Sequence, residues 1–191
     1  MLYVCMVVHK MIYGKVLPII TVEKTNSAIN SVLRKVAAKV IDPTTVEIKQ
    51  IVANMIATAE TNQNTVGLAA PQINISLAIF VYRNGSLRRF IPIINPEIEL
   101  IENDLVFGRE GCLSIPGYMG IVPRNKAIRY TYLDLQGKTI TKKATGYHAR
   151  VIQHEFDHLN GILYTDSINI NDPEQFGLID VIKAKAVNEY A

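Results

Sequence analysis

The chain holds only two cysteines, Cys5 and Cys112, in 191 residues. Two cannot build a disulfide framework, so a reducing compartment, the cytoplasm, is the default and each thiol needs its own explanation. No apolar run reaches the roughly 18 residues that a membrane span needs, so no membrane partner is expected. Neither charge is in great surplus: 20 Lys+Arg face 17 Asp+Glu, a net charge of +3. That is too weak to indicate nucleic-acid binding. No internal repeat, low-complexity tract or long linker breaks the chain. Residues 1–191 are therefore expected to form a single domain with a core large enough to need no staples.

The start of the chain lacks something as well. Met1 to Val8 is almost wholly apolar, yet it has no preceding basic residues and no small-residue cleavage signature, so it is not read as a signal peptide. It is expected to be a first β-strand, or else residues 1–10 form a dispensable extension with initiation at Met11. Cys5 is then a buried or incidental thiol.

What is present alternates between two periods. Asp42-Pro43 predicts a helix start, with apolar residues following at Ile48, Ile51, Val52, Met55, Ile56 and Ala59. Asn62 to Asn64 ends it. Leu77 to Tyr82 and Phe90 to Ile94 are strand-like and flank the hairpin signal Asn84-Gly85. Ile98 to Phe107 is expected to continue as strand, Ala127 to Leu135 alternates, and Gln136-Gly137 turns into Lys138 to Ala144. Helical character returns from Tyr147 to Asn160, with Gly161 as its C-cap. Asp172-Pro173 predicts a last helix containing Phe176, Ile179, Val181 and Ile182. The fold class is α+β, antiparallel strands around a central motif-bearing helix.

Three of the four histidines lie close together, and His154 and His158 bracket His-Glu-Phe-Asp-His. Residues four apart share one face of a helix, so both imidazoles can reach one metal ion. Glu155 follows the first histidine, where its carboxylate can take a proton from a water molecule that the ion activates. Ala149, Ile152, Phe156 and Leu159 form an apolar stripe on the same segment, which makes the helix core-facing. The longer metalloprotease pattern, H-E-x-x-H-x-x-G-x-x-H, fails because Tyr164 stands where its last histidine belongs. Glu174 and Glu189 are poorly placed to be a third ligand. Cys112, in R-E-G-C-L-S-I-P-G, is the better candidate, a thiol in a punctuated stretch beside Gly111. Thr65 to Gln72 is a small-residue turn ending in an amide donor, which alone indicates only packing.

Together, G-L-A-A-P-Q, E-G-C-L-S and H-E-F-D-H, in that order, resemble the three signature motifs of the peptide deformylases, of the bacterial type I branch. The likeness extends through G-Y-H-A-R-V-I-Q and L-N-G-I-L-Y and covers Ser27 to Asp166. It implies removal of the formyl group from the N-terminal methionine of nascent chains, with the ribosome a candidate partner. By position it implies Cys112, His154 and His158 as metal ligands and Glu155 as general acid/base. Gln72 and the backbone N–H of Leu113 match the pair that steadies the formyl oxygen. Gly67 matches a backbone contact to the peptide, and Val66 and Val151 match the methionine pocket. Glu110 and Arg124 match a structural ion pair. Thr65 departs from a usual glycine, and Met119 stands where many members carry arginine. Nitrogen and sulfur ligands suit Zn2+ on affinity, while the resemblance implies Fe2+ as the working ion, with Ni2+, Co2+ or Zn2+ able to take its place. An ordinary zinc endopeptidase and a non-catalytic metal-binding relative are the competing readings.

Overall fold

The structure is a computed structural model that describes residues 4–7, 10–22, 32–84, 89–101 and 104–179. In chain order its strands and α-helices are β1 (Val4–Val7), β2 (Lys10–Tyr13), α1 (Val46–Glu60), β3 (Gly67–Ala69), β4 (Ile79–Asn84), β5 (Arg89–Leu100), β6 (Leu105–Cys112), β7 (Ile115–Asn125), β8 (Ala127–Leu133), β9 (Thr139–Thr145), α2 (Gly146–Leu159) and β10 (Phe176–Leu178). Every pairing between these strands is antiparallel.

The strand sequences explain how two helices share one sheet. Five strands run in the order β3-β4-β5-β8-β9. Side chains alternate across a strand, so β4 sends Ile79 and Val81 to one face and Phe80 and Tyr82 to the other. The first face packs on Val52, Met55, Ile56 and Ala59 of α1. The second packs on Ala149, Ile152 and Leu159 of α2, with Ile93, Ile128 and Tyr130. With both faces covered, β4 reads as a continuous apolar run rather than an alternating one. Fully burying one such side chain stabilises the fold by about 1.5–3 kcal/mol, and Ile79, Phe80, Val81 and Ile152 expose nothing. Phe156, expected in the same stripe, is only half-buried.

A second sheet, in the order β10-β7-β6, lies beyond the first. Its core joins Ile115 and Val122 to Leu33, Leu163, Tyr164 and Phe176. The bulge at the end of β6, between Gly111 and Cys112, turns the chain back into β7.

Four expectations need correction. Helix α1 starts at Thr45, whose hydroxyl caps the Ile48 N–H, and not at Asp42-Pro43. Asp42 instead accepts from the Thr44 N–H at 2.8 Å and the Thr44 hydroxyl at 2.6 Å, a side-chain turn that competes with helix. Ile98 to Phe107 is not one strand: Ile98–Leu100 ends β5 in one sheet, and Leu105 begins β6 in the other. Ile101 follows the end of β5 and Asp104 precedes β6, with residues 102–103 between them outside the described set. β7 went unread because Pro116, Gly117, Gly120 and Pro123 punctuate it. Finally, Asp172-Pro173 opens a turn in which Asp172 accepts from the Glu174 N–H at 2.9 Å. Phe176 then pairs with Gly120 in β10, its ring stacked on Tyr118 at 5.2 Å. Ile179, already helical, follows that strand, so the last helix begins after β10 and not at Asp172-Pro173, while Val181 and Ile182 lie outside the described residues.

The remaining elements match their expected positions. The β4–β5 hairpin forms, with residues 85–88 of its turn outside the described set. α2 covers the expected segment, and Gly161 follows it at φ +72°. At the start of the chain, β1 pairs with β2 alone among the described residues, in a separate two-stranded sheet. The Tyr13 carbonyl accepts from Gln50, the Lys15 N–H donates to Asn54 and the Leu17 N–H to Thr58, which ties the chain after β2 to α1. The Cys5 side chain lies outside the described residues.

Candidate functional site

Helix α2 carries the site because its two faces divide the labour. Ala149, Ile152 and Leu159 face the sheet core, while His154, Glu155 and His158 turn toward β3, β6 and the turn after β3. All three polar residues are buried, His158 with 1% exposure and Glu155 with 4%. His148, the third histidine of the cluster, is exposed and takes no part.

The thiol arrives from the other sheet. Cys112 ends β6, and its Sγ lies 3.3 Å from His158 Nε2. One ligand atom each from Cys112, His154 and His158 lie within 4.8 Å of one another. The donor set fits a metal ion: two imidazoles and a thiol converge, as in sites that keep a fourth position for water or substrate. His154 Nδ1 is 2.8 Å from Glu110 Oε2, the outer contact that fixes a ligating imidazole's tautomer and leaves Nε2 for the ion. Burial pushes the His158 ring well below its ordinary pKa, with the neighbouring His154 adding to the effect, so it is neutral as a ligand must be.

Glu110 is the hub behind the histidines. Burial alone would raise its carboxyl, yet hydrogen bonds from Arg124 and His154 hold it down to about 2. Arg124 meets it with two parallel bonds of 2.9 Å and also pairs with Asp157. The Glu110–Arg124 pair was legible in the sequence; its extension to Asp157 and Arg150 was not.

Glu155 is differently placed. Its Oε2 is buried with no hydrogen-bond partner among the described residues, and burial raises its carboxyl to about 7. A carboxyl that titrates near neutrality can both take and give a proton. Gly67 backs directly onto it: a Cβ there would stand 2.3 Å from Glu155 Oε1.

The turn after β3 supplies Gln72. Its Oε1 accepts from the Ala69 N–H at 2.9 Å, which aims the amide nitrogen at Cys112 Sγ, 3.4 Å away, and at Ser114 Oγ, 3.2 Å away. Ser114, fully buried, was given no role in the sequence reading although it closes the E-G-C-L-S motif. Residues 20–22 hold both loops: the Ile20 N–H donates to the Gln72 carbonyl and the Val22 N–H to the Ser114 carbonyl, each at 2.8 Å. Val66, Gly67, Gln72, Cys112, Leu113, Val151, His154 and Glu155 all line one cleft of about 580 Å³, so nearly every expected site residue is gathered there. His158 lies behind it against Cys112. Met119 lines the same cleft, as does Thr65, whose buried hydroxyl has no partner among the described residues.

Comparison with known proteins gives the same picture. The family described as polypeptide deformylase matches residues 17–174. Peptide deformylase 1 of Bordetella pertussis is 40% identical over 158 residues, 78% of this chain and 88% of that protein. Peptide deformylase 2 of Ralstonia nicotianae is 38% identical over 161 residues, 80% of this chain and 89% of that protein. The crystal structure of peptide deformylase from Thermotoga maritima aligns with a TM-score of 0.73 at 36% identity, over 82% of this chain and 99% of that one. A match of sequence and of fold that runs through the cleft and both sheets leaves no partial reading: the chain belongs to the polypeptide deformylase family.

Proposed function

We propose that this protein removes the formyl group from the N-terminal methionine of newly made polypeptides, using one divalent metal ion held by Cys112, His154 and His158. The observation that carries this reading is the convergence of those three ligand atoms at one cleft, lined by Cys112, His154, Gln72 and a Glu155 carboxylate whose Oε2 has no partner among the described residues, with His158 behind it against Cys112. Fe2+ is the working ion in the cell, with Zn2+, Ni2+ or Co2+ able to occupy the same ligands. When bound, such an ion acidifies water and polarises a carbonyl oxygen.

The chain's own residues do the rest. Glu155 takes the proton of the attacking water and later delivers it to the leaving amine. A pKa near 7 suits both transfers. The formyl oxygen, as it becomes anionic, accepts one hydrogen bond from Gln72 Nε2 and one from the Leu113 N–H; one such donor is typically worth about 2.7–4 kcal/mol. Ser114 and the Ala69 N–H hold the Gln72 amide in place beforehand, so it need not reorganise. Val66 and Val151 receive the methionine side chain, and the backbone at Gly67 meets the peptide. The work is done in the cytoplasm by one catalytic domain, and the ribosome is the partner through which substrate arrives.

The test is an anaerobic assay of iron-loaded protein on formyl-methionyl and free methionyl peptides, with metal analysis of the same sample. Formate release from the formylated peptide alone, at one ion per chain, is expected. Internal cleavage of unformylated peptides would replace this reading with an endopeptidase. Co-sedimentation with ribosomes tests the partner.

A further inference from the structure

Arg150 stands on α2 one turn before His154, with 9% of its surface exposed. A buried guanidinium keeps its charge, so its donors must be met within the fold. Here Nη1 donates to Glu110 Oε1 at 2.8 Å, to the Val122 carbonyl at 2.8 Å and to the Gly108 carbonyl at 3.2 Å. Nη2 donates to the Val106 carbonyl at 2.6 Å. Val106, Gly108 and Glu110 belong to β6, the strand that ends in Cys112, and Val122 belongs to β7. Gly108 makes the crossing feasible, since a Cβ there would lie 2.7 Å from Arg150 Nη2. Glu110 Oε1 thus receives Arg124 and Arg150, while Oε2 receives Arg124 and His154.

We propose that Arg150 is a positioning residue that sets the spacing between Cys112 on β6 and the two histidines on α2. It does so by clamping the β6 and β7 backbone and by fixing the carboxylate that orients His154. This rests on the metal-centre reading above. Arg124 grips the same carboxylate from β7 but contacts none of the β6 backbone carbonyls that Arg150 holds. Besides the contacts of His154 with Glu110 and His158 with Cys112, Arg150 therefore ties the helix of the histidines to the backbone of the strand of the thiol. Lysine cannot replace it, since one ammonium has three donors on a flexible stem and no planar fork.

The experiment is anaerobic titration with cobalt(II), reading its affinity and the thiolate-to-cobalt charge-transfer band. Arg150→Lys is expected to weaken cobalt binding about 10- to 100-fold, as loss of outer contacts to a metal ligand does, and to shift the band. In the formyl-peptide assay it should lower kcat while leaving KM near the parent's. Gly108→Ala, which displaces the guanidinium without altering any ligand, should give the same two changes. The double variant should be no worse than the more impaired single one, since both act through one contact. Parental affinity and an unshifted band in both variants would overturn the proposal, even with a lower melting temperature, because Arg150 would then be merely structural. If Arg150→Lys fails to fold, Gly108→Ala decides by the same readouts. A parent chain that binds no cobalt would overturn the metal-centre reading itself, a result distinct from insensitivity of the variants.

Discussion

Gly67 and Glu155 are packed so closely that the smallest side chain at Gly67 would come within 2.3 Å of the Glu155 carboxylate. The glycine comes from an edge strand and the glutamate from a helix, yet the room left by one is what the other occupies. Gly67 thus matters to the site through Glu155 as well as through the peptide. Gly67→Ala should push the carboxylate aside while leaving Cys112, His154 and His158 in place. A displacement of about 1 Å at a reacting group can cost about a hundredfold in rate. The expected outcome is a loss of kcat of that order with unchanged metal content. Normal turnover by the alanine variant would mean that Glu155 is not the proton carrier.

Glu155→Ala should also keep its metal, because the residue neighbours a ligand without being one. Positioned acid–base groups typically contribute about 10²–10⁴ in rate, and a loss in that range is expected. Metal stoichiometry measured beside activity separates this from simple loss of the ion.

Iron-loaded protein should lose activity in air, since iron-driven peroxide chemistry places an oxidant beside the Cys112 thiolate and carries it up the sulfenic–sulfinic ladder. Nickel-loaded protein should decay more slowly, and Cys5→Ser should decay like the parent. Activity against time, with mass spectrometry locating the added oxygen, checks this. Equal decay of both metal forms, or oxygen found on Cys5 alone, would remove Cys112 from the centre.

A chain starting at Met11 should fold and turn over formyl peptides as the parent does. Ile12 is buried, and the ties to α1 come from Tyr13, Lys15 and Leu17, all of which survive the cut. Among the described residues β1 pairs with nothing but β2. Thermal melting gives the answer: loss of a cooperative transition would make residues 1–10 part of the core.

The start of α1 can be checked by stability. Thr45→Ala removes the cap on the Ile48 N–H and should cost about 1 kcal/mol in urea unfolding. Asp42→Ala opens an exposed turn only, so its effect should be smaller. The reverse order would restore the helix start to Asp42-Pro43.

How much of this could be read from residues alone depends on how local each signal is. His154, Glu155 and His158 were legible because helical spacing alone places them together. Cys112 was legible as a candidate once the two histidines lacked a third ligand, while Gln72 was legible only through the company of the other motifs, since alone its turn indicates packing. Arg150 and Ser114 fall within quoted motifs yet were given no role, because their roles consist of partners some forty residues away in the chain: Glu110 for one and Gln72 for the other. Both Asp-Pro pairs misled in the same way. An aspartate before proline satisfies nearby N–H groups equally well in a turn and at a helix start, and what decides lies further along, the Thr45 cap in one case and the pairing of Phe176 with Gly120 in the other. β7 was hidden by prolines and glycines that a strand at this curved second sheet accommodates.

β3 closes its sheet with only Gly67–Ala69, about 10 Å of backbone at roughly 3.3 Å per residue. A client chain laid along that margin can be gripped over two or three residues before it runs out into water. Under the proposed function, so short a grip is expected to inspect the first methionine and little after it. The formyl group heads chains of every sequence, and a long docking edge would divide them into good and poor substrates. Brevity at the rim of the sheet is thus a form of impartiality, bought by leaving each client loosely held.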